Sequence, residues 1–194
     1  SAGDLPDGVI ISGFSRAAEA HAELVNAHFA RYADLRAEPF VALNTAFTQD
    51  GLFVYVPKGV ELDRPVHVIH VIQAGEDVLV QPRSLIVIEE AASARIVETA
   101  HVLGRAKTLT NAVSEMYVGA NARAEVYKLQ DSGMAASLVD SVQVYQQASS
   151  NASVYTFTLS GDLVRNNLSF LPEAEHCESH LVGLFLGNDR MHVD

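Results

Sequence analysis

Four stretches of this chain follow one plan: an apolar strand, a short turn rich in small residues, then a second strand that alternates apolar and polar side chains. They cover residues 84–98, 114–128, 141–157 and 168–185. Along the first strand, Ile88, Val118, Val144 and Phe170 recur at intervals of 30, 26 and 26 residues. Along the second, Ile96, Val126, Val154 and Val182 recur at 30, 28 and 28. A period in this range marks a solenoid. Each unit is one coil that cannot bury its apolar face alone, so neighbours stack and share a core. Parallel stacking sets like residues over like, which fits Ala122 and Ala152 in matching turns. A doubly wound α/β sheet would need helices between its parallel strands, and no helical periodicity runs between these. An antiparallel sandwich would favour Asn-Gly or Asp-Gly hairpin turns, and the four units contain none. The repeat therefore predicts a mainly β fold, a right-handed parallel β-helix over residues 51–194.

The first 50 residues read differently. Val9-Ile10-Ile11 suits a short strand, and Ser12 or Ser15 is placed to cap a helix start. The spacing of Ala18, Ala22, Val25, Phe29 and Tyr32 puts them on one face and predicts a helix from Arg16 to Leu35. Pro39 stops it, because proline disfavours helical geometry at Glu38. Phe40 to Phe47 suits a second, short helix, and Asp50-Gly51 marks a turn. Residues 1–50 thus form a helical lead-in to the core. The pattern is still running at Met191-His192-Val193-Asp194 and the chain lacks a starting Met, so the sequence reads as a fragment with the solenoid cut at its C-terminal end.

Hydrophobic residues make up 48% and charged residues 19% of the 194, a balance that suits a folded core and not a disordered chain. The net charge of −11 repels phosphate backbones, which argues against nucleic acid as a partner. Cys177 is the single cysteine, so no intrachain disulfide forms and a cytoplasmic setting is favoured. No apolar run reaches the roughly 18–20 residues that span a bilayer, and Ser1 to Gly8 lacks the pattern of a signal peptide. Neither feature suggests a membrane.

Several polar groups are candidates for chemistry. His176, Cys177 and His180 carry the imidazole and thiol donors that zinc or iron favours. Strand alternation turns His176 and His180 to one face and Cys177 to the other, so a turn with two solvated histidines and a buried thiol is the simpler expectation. His67 and His70 differ by an odd number and face opposite sides, while His101 lies outside the obvious rungs; structural roles are expected for all three. Glu89, Glu90 and Glu98 could suggest paired carboxylates of a glycosidase type, but Glu89 and Glu90 sit at a turn and suit a solvated face. Arg165-Asn166-Asn167 is polar inside a rung, where stacked Asn side chains can hydrogen-bond along the solenoid. No phosphate-binding glycine loop is present, and Ser160-Gly161-Asp162 has no inferable His/Asp partners, so it is given no nucleophile role. No residue is assigned a catalytic, cofactor-binding or metal-binding role.

Six short segments carry a family resemblance. Phe40-Val41-Ala42-Leu43-Asn44-Thr45-Ala46-Phe47 with Asp50-Gly51 is similar to the F-x-A-L-N-x-A-F … D-G entry to the core of SufD proteins. Thr110 to Val118 and Lys128-Leu129-Gln130 resemble that family's T-N-x-V-x-E-x-x-V and K-x-Q segments. Leu163 to Leu168 resembles its G-G-x-x-x-R-N-x-L rung, although Asp162 replaces the second Gly. Leu181 to Leu186 and His192 to Asp194 fit the stretch that follows. The likeness runs from about Gly8 to the end of the chain. The related SufB proteins share the core; segment 40–47 and the helical lead-in favour SufD.

The resemblance implies a scaffold subunit of the SUF iron–sulfur cluster assembly complex, acting through assembly and not turnover. Its implied partners are a SufB-like subunit, met through the β-helices, and a SufC-like ATPase bound through a C-terminal helical region. In the family, the Cys and His residues implicated at the SufB–SufD interface lie nearer the C-terminus, beyond Asp194, so none is carried over. Two rival readings are a β-helix enzyme acting on acidic polysaccharide and a metal-binding module built on His176 and Cys177. The charge of −11 and the absence of Trp oppose the first. A solenoid cut mid-stack should also expose an apolar coil and associate with its own copies.

Overall fold

A computed structural model describes residues 5–104, 106–187 and 190–194, so the first half of the Ser1–Gly8 stretch lies outside the described residues. The chain enters through β1 (Ile10–Gly13), α1 (Phe14–Ala20) and α2 (Ala22–His28). After an irregular stretch, α3 (Pro39–Phe47) leads into β2 (Gly51–Val56), which pairs antiparallel with β1.

This lead-in corrects three expectations. Neither Ser12 nor Ser15 caps α1; the Asp50 carboxylate does so from across the chain, accepting the Ser15 amide at 2.9 Å. The N-cap is Gly13, where a Cβ would lie only 3.2 Å from Asp50 Oδ1. The single helix predicted for Arg16–Leu35 is two short helices that break at His21 and end at His28. Its predicted last turns are lost because the amides of Ala30, Tyr32 and Ala33 donate to the Glu115 carboxylate at 2.8, 2.8 and 3.0 Å. An amide so engaged cannot also bond the carbonyl four residues back, and Ala30 adopts a left-handed φ of 56°. Pro39 does not end that helix, which stops at His28; it occupies the first turn of α3, where a missing N–H costs nothing.

The core is the expected mainly β parallel solenoid. Its remaining strands are β3 (Val66–Gln73), β4 (Val78–Val80), β5 (Arg83–Ile88), β6 (Ser93–Leu103), β7 (Thr108–Val118), β8 (Arg123–Asp131), β9 (Ala136–Gln146), β10 (Asn151–Ser160), β11 (Leu163–Pro172), β12 (Glu178–Phe185) and β13 (His192–Val193). One sheet runs β1-β2-β5-β7-β9-β11-β13, with β4 on the first half of β7; the other runs β12-β10-β8-β6-β3. All pairs except β1–β2 are parallel. Between the sheets lie Ile86, Ile88, Met116, Val118 and Val144 from one side, and Ile96, Val126 and Val154 from the other.

The register differs from the simple repeat in three places. Val144 pairs with Met116 instead of Val118, a slip of two that keeps it facing inward. Val154 pairs with Leu181 instead of Val182, a slip of one that exchanges the faces of β12. Ala152 stacks on Ala124 and not on the turn residue Ala122.

One edge of the solenoid is a ladder of tight turns. Ala91, Asn121, Ser149 and His176 each hold a left-handed φ, between 55° and 62°. The amide of each of the first three donates to the next turn: Ala91 to Ala120 at 2.8 Å, Asn121 to Ala148 at 2.9 Å and Ser149 to Glu175 at 3.0 Å. The coils approach so closely that a Cβ on Gly119 would sit 2.6 Å from the Glu90 backbone nitrogen.

The lead-in covers the outer face of the first sheet. Phe14, Ala17 and Val25 bury Phe53, Leu85 and Val87, and Tyr32 stacks on Tyr145 with centroids 4.8 Å apart. At the far end, all eight residues of β12 are exposed, with Leu181 at 62% and Phe185 at 63%. Among the described residues, no helix is long and apolar enough to cross a membrane.

Candidate functional site

Two constellations gather the buried charged side chains. The first lies beneath the lead-in. On β7, the side chains of Asn111, Val113 and Glu115 alternate with the inward-facing Ala112, Ser114 and Met116, and so point away from the lumen. Glu115 and Arg83 form an ion pair with both side chains at 0% exposure. Arg83 also donates to Thr45 Oγ1 at 2.9 Å and Asn44 Oδ1 at 3.3 Å. Asn44 donates to the carbonyls of Pro82 at 2.9 Å and Asn111 at 2.8 Å, and Asn111 Nδ2 donates to the Phe40 carbonyl at 2.9 Å. The F-x-A-L-N-x-A-F and T-N-x-V-x-E segments therefore meet in space. Their polar residues hold the lead-in to the third rung, an architectural task.

The second constellation is inside the solenoid. Next to the apolar row Ile86, Met116 and Val144, the inward row shrinks to Ser84 and Ser114, and beside it lie Ala112 and Asp140. From the opposite sheet come His70, Glu98, Lys128 and Gln130. The small residues leave a cavity of about 180 Å³ among these polar groups. Lys128 Nζ lies 2.8 Å from Asp140 and 3.7 Å from Glu98 Oε2. Burial pulls the Lys128 pKa down, but Asp140 and Glu98 together outweigh it and hold the group above its ordinary value. Gln130 donates to Asp140 at 3.2 Å and to Asn166 Oδ1 at 2.7 Å, and accepts from Thr158 at 2.6 Å. Glu98 is only 7% exposed, yet its Oε1 has no hydrogen-bond partner among the described residues. The same holds for His70 Nε2, which lies 3.8 Å from Glu98 Oε2.

The residues singled out from sequence fall in different places. His176 sits at a turn and His180 on β12, with side chains 82% and 54% exposed. Cys177 is half-buried, its sulfur 3.2 Å from the carbonyls of Gln147 and Ala174. Among the described residues, no three His, Cys, Asp or Glu side chains are placed to hold a metal ion. His67 faces out, 3.1 Å from Thr99 Oγ1, while His70 faces in. Glu90 pairs with Lys58 in solvent at 2.7 Å, whereas Glu98, grouped with it by sequence, belongs to the lumen. Asn166 does not stack on another Asn. It bonds Gln130 and Thr158 instead, since its register partner is Asp140. Arg165 and Asn167 bond each other near the surface at 3.3 Å. Sequence reasoning missed Arg83, Glu115, Lys128 and Asp140 as a set. Strand parity carries the signal for two of them: Lys128 stands two residues beyond the inward Val126, and Asp140 two before the inward Val142.

Residues 70–194 match the family described as "SUF system FeS cluster assembly, SufBD core domain", and residues 1–68 match the "SufBD protein N-terminal region". An iron–sulfur cluster assembly SufBD family protein of Synechocystis sp. is 26% identical over 191 residues, covering 93% of this chain and 42% of the relative. SufBD family proteins of Staphylococcus aureus and Staphylococcus epidermidis are 32% and 33% identical over 126 residues, covering 64% of this chain and 27% of each relative. The chain thus spans less than half the length of these curated relatives.

Proposed function

The chain belongs to the SufBD family of iron–sulfur cluster assembly proteins, and from that premise we propose that it is a SufD-type, non-catalytic scaffold subunit of a SUF complex. The observation that carries the proposal is the clamp around Arg83 and Glu115. The lead-in segment whose pattern favours SufD over SufB is locked onto the solenoid by the family-like T-N-x-V-x-E rung. Its polar groups are spent on holding two parts of the chain together, which suits a rigid frame for partners and leaves no nucleophile poised for turnover. The partners are a SufB-like subunit, met through the solenoid, and a SufC-like ATPase, since no phosphate-binding loop is present in this sequence. The compartment is the cytoplasm, consistent with a lone unpaired cysteine.

Co-expression of the full-length protein with SufB-like and SufC-like partners tests this. The expected result is a stable ternary complex that accepts iron and sulfide when all three are present. A full-length protein that purifies as a stable monomer and ignores both partners would overturn the proposal.

A further inference from the structure

We propose that the luminal cavity between β3 and β7 is a binding site for a small organic cation, an amine or amidine head on a compact apolar body. The walls are largely aliphatic: Ile72, Val80, Pro82, Ala100, Ala112 and Leu138. The polar groups gather on one side. There, two carboxylates, Glu98 and Asp140, face one cation, Lys128. Carboxylates thus outnumber ammonium groups at this end of the cavity.

The hydrogen bonds decide which carboxylate is available. Asp140 takes the near contact with Lys128 and a further donor from Gln130. Glu98 is 7% exposed; its Oε2 faces Lys128 Nζ at 3.7 Å, while its Oε1 has no hydrogen-bond partner among the described residues. A buried carboxylate oxygen without a donor is costly, and a charge-assisted N–H would relieve it. The other group without a partner, His70 Nε2, can also accept a hydrogen bond from a ligand N–H in one neutral tautomer. Glu98 Oε1 therefore asks for a donor, and a cationic donor suits the carboxylate majority. An anion would be repelled by Glu98, whose Oε1 has no donor of its own. The His70 side chain is 27% exposed, so solvent reaches this side of the cavity past β3. As for size, a cavity of about 150 Å³ accepts benzene, so one of about 180 Å³ takes a ring with one or two further atoms. Such a pocket, apolar with a few convergent polar groups, has the general anatomy of a small-molecule site.

Benzylamine is the probe, with toluene and benzoate as neutral and anionic controls, titrated into the full-length protein and followed by amide NMR shifts. Benzylamine should give saturable shifts confined to the cavity walls, around Ile72, Ala100 and Ala112, and bind about tenfold or more tighter than either control. Glu98→Gln should remove that preference. Ala112→Leu, which fills the chamber from the opposite sheet, should abolish the shifts and serves as the second variant should Glu98→Gln not fold. The proposal is overturned if benzylamine gives no saturable shifts, if toluene or benzoate binds as well, or if Ala112→Leu leaves affinity unchanged. Shifts that map outside the cavity would overturn it equally.

Discussion

Replacing Glu115 with Leu removes the acceptor for four groups at once: the Arg83 guanidinium and the amides of Ala30, Tyr32 and Ala33. With both side chains of the pair fully buried, stranding the arginine charge alone should cost about 3–5 kcal/mol. Each orphaned amide adds about 1–3 kcal/mol, up to the point where the segment detaches and finds water. The expected total is at least about 4 kcal/mol in urea unfolding of the full-length protein. The double variant Arg83→Met with Glu115→Leu separates the two parts. For a simple buried ion pair, apolar replacement of both partners is close to neutral. Here the three amides would stay unsatisfied, so the double variant should recover the charge cost and still fall about 2 kcal/mol short of wild type. Hydrogen exchange at Ala30, Tyr32 and Ala33 should quicken in both variants. A double variant as stable as wild type, with those amides still protected, would refute the view that Glu115 shapes the lead-in.

Asp50 is held below the ordinary carboxylate range, chiefly by the Ser15 amide. A depressed folded-state pKa gives stability that is present above the unfolded value, near 4, and lost as pH falls through the folded value. Asp50→Asn should therefore lower stability at neutral pH, and the gap to wild type should close in acid titration below pH ~4. Ala91 carries a Cβ at a φ of 55°, so Ala91→Gly should raise stability by up to about 1 kcal/mol in the same unfolding assay. The 194-residue chain should self-associate through β12, seen by light scattering. Lysine at Leu181 and Phe185, both more than 60% exposed, should suppress it; a monodisperse wild-type monomer at high concentration would count against this.

The solenoid was legible because its repeat is a property of strand spacing, which survives without any knowledge of neighbours. Parity was nearly as legible. Ile96 to Glu98 and Val126 to Lys128 and Gln130 are steps of two, so the lumen's polar residues share a face with its aliphatic ones. Which of them meet was not legible, since Lys128 finds Asp140 only after β8 and β9 fold to opposite sheets. The register of β12 misled for a related reason: Leu181 and Val182 are both apolar, so neither marks itself as inward. The overlong predicted helix had good local propensity throughout. What ends it is a carboxylate more than 80 residues away, beyond the reach of any local pattern.

The ladder of left-handed turns makes the two margins of the solenoid unequal. The turn positions Ala91, Asn121, Ser149 and His176 follow one another at 30, 28 and 27 residues, yet the coils remain in contact at each of them. Most of the lost length is taken up on the opposite margin, where the connection 132–135 gives way to Gly161-Asp162. One margin behaves as a sewn seam and the other as a hem that can be let out. Sequence drift, inserted loops and engineered tags should collect at the hem, around residues 132–135. An extra residue placed at Gly119 or Ala120 would unpick two coils at once.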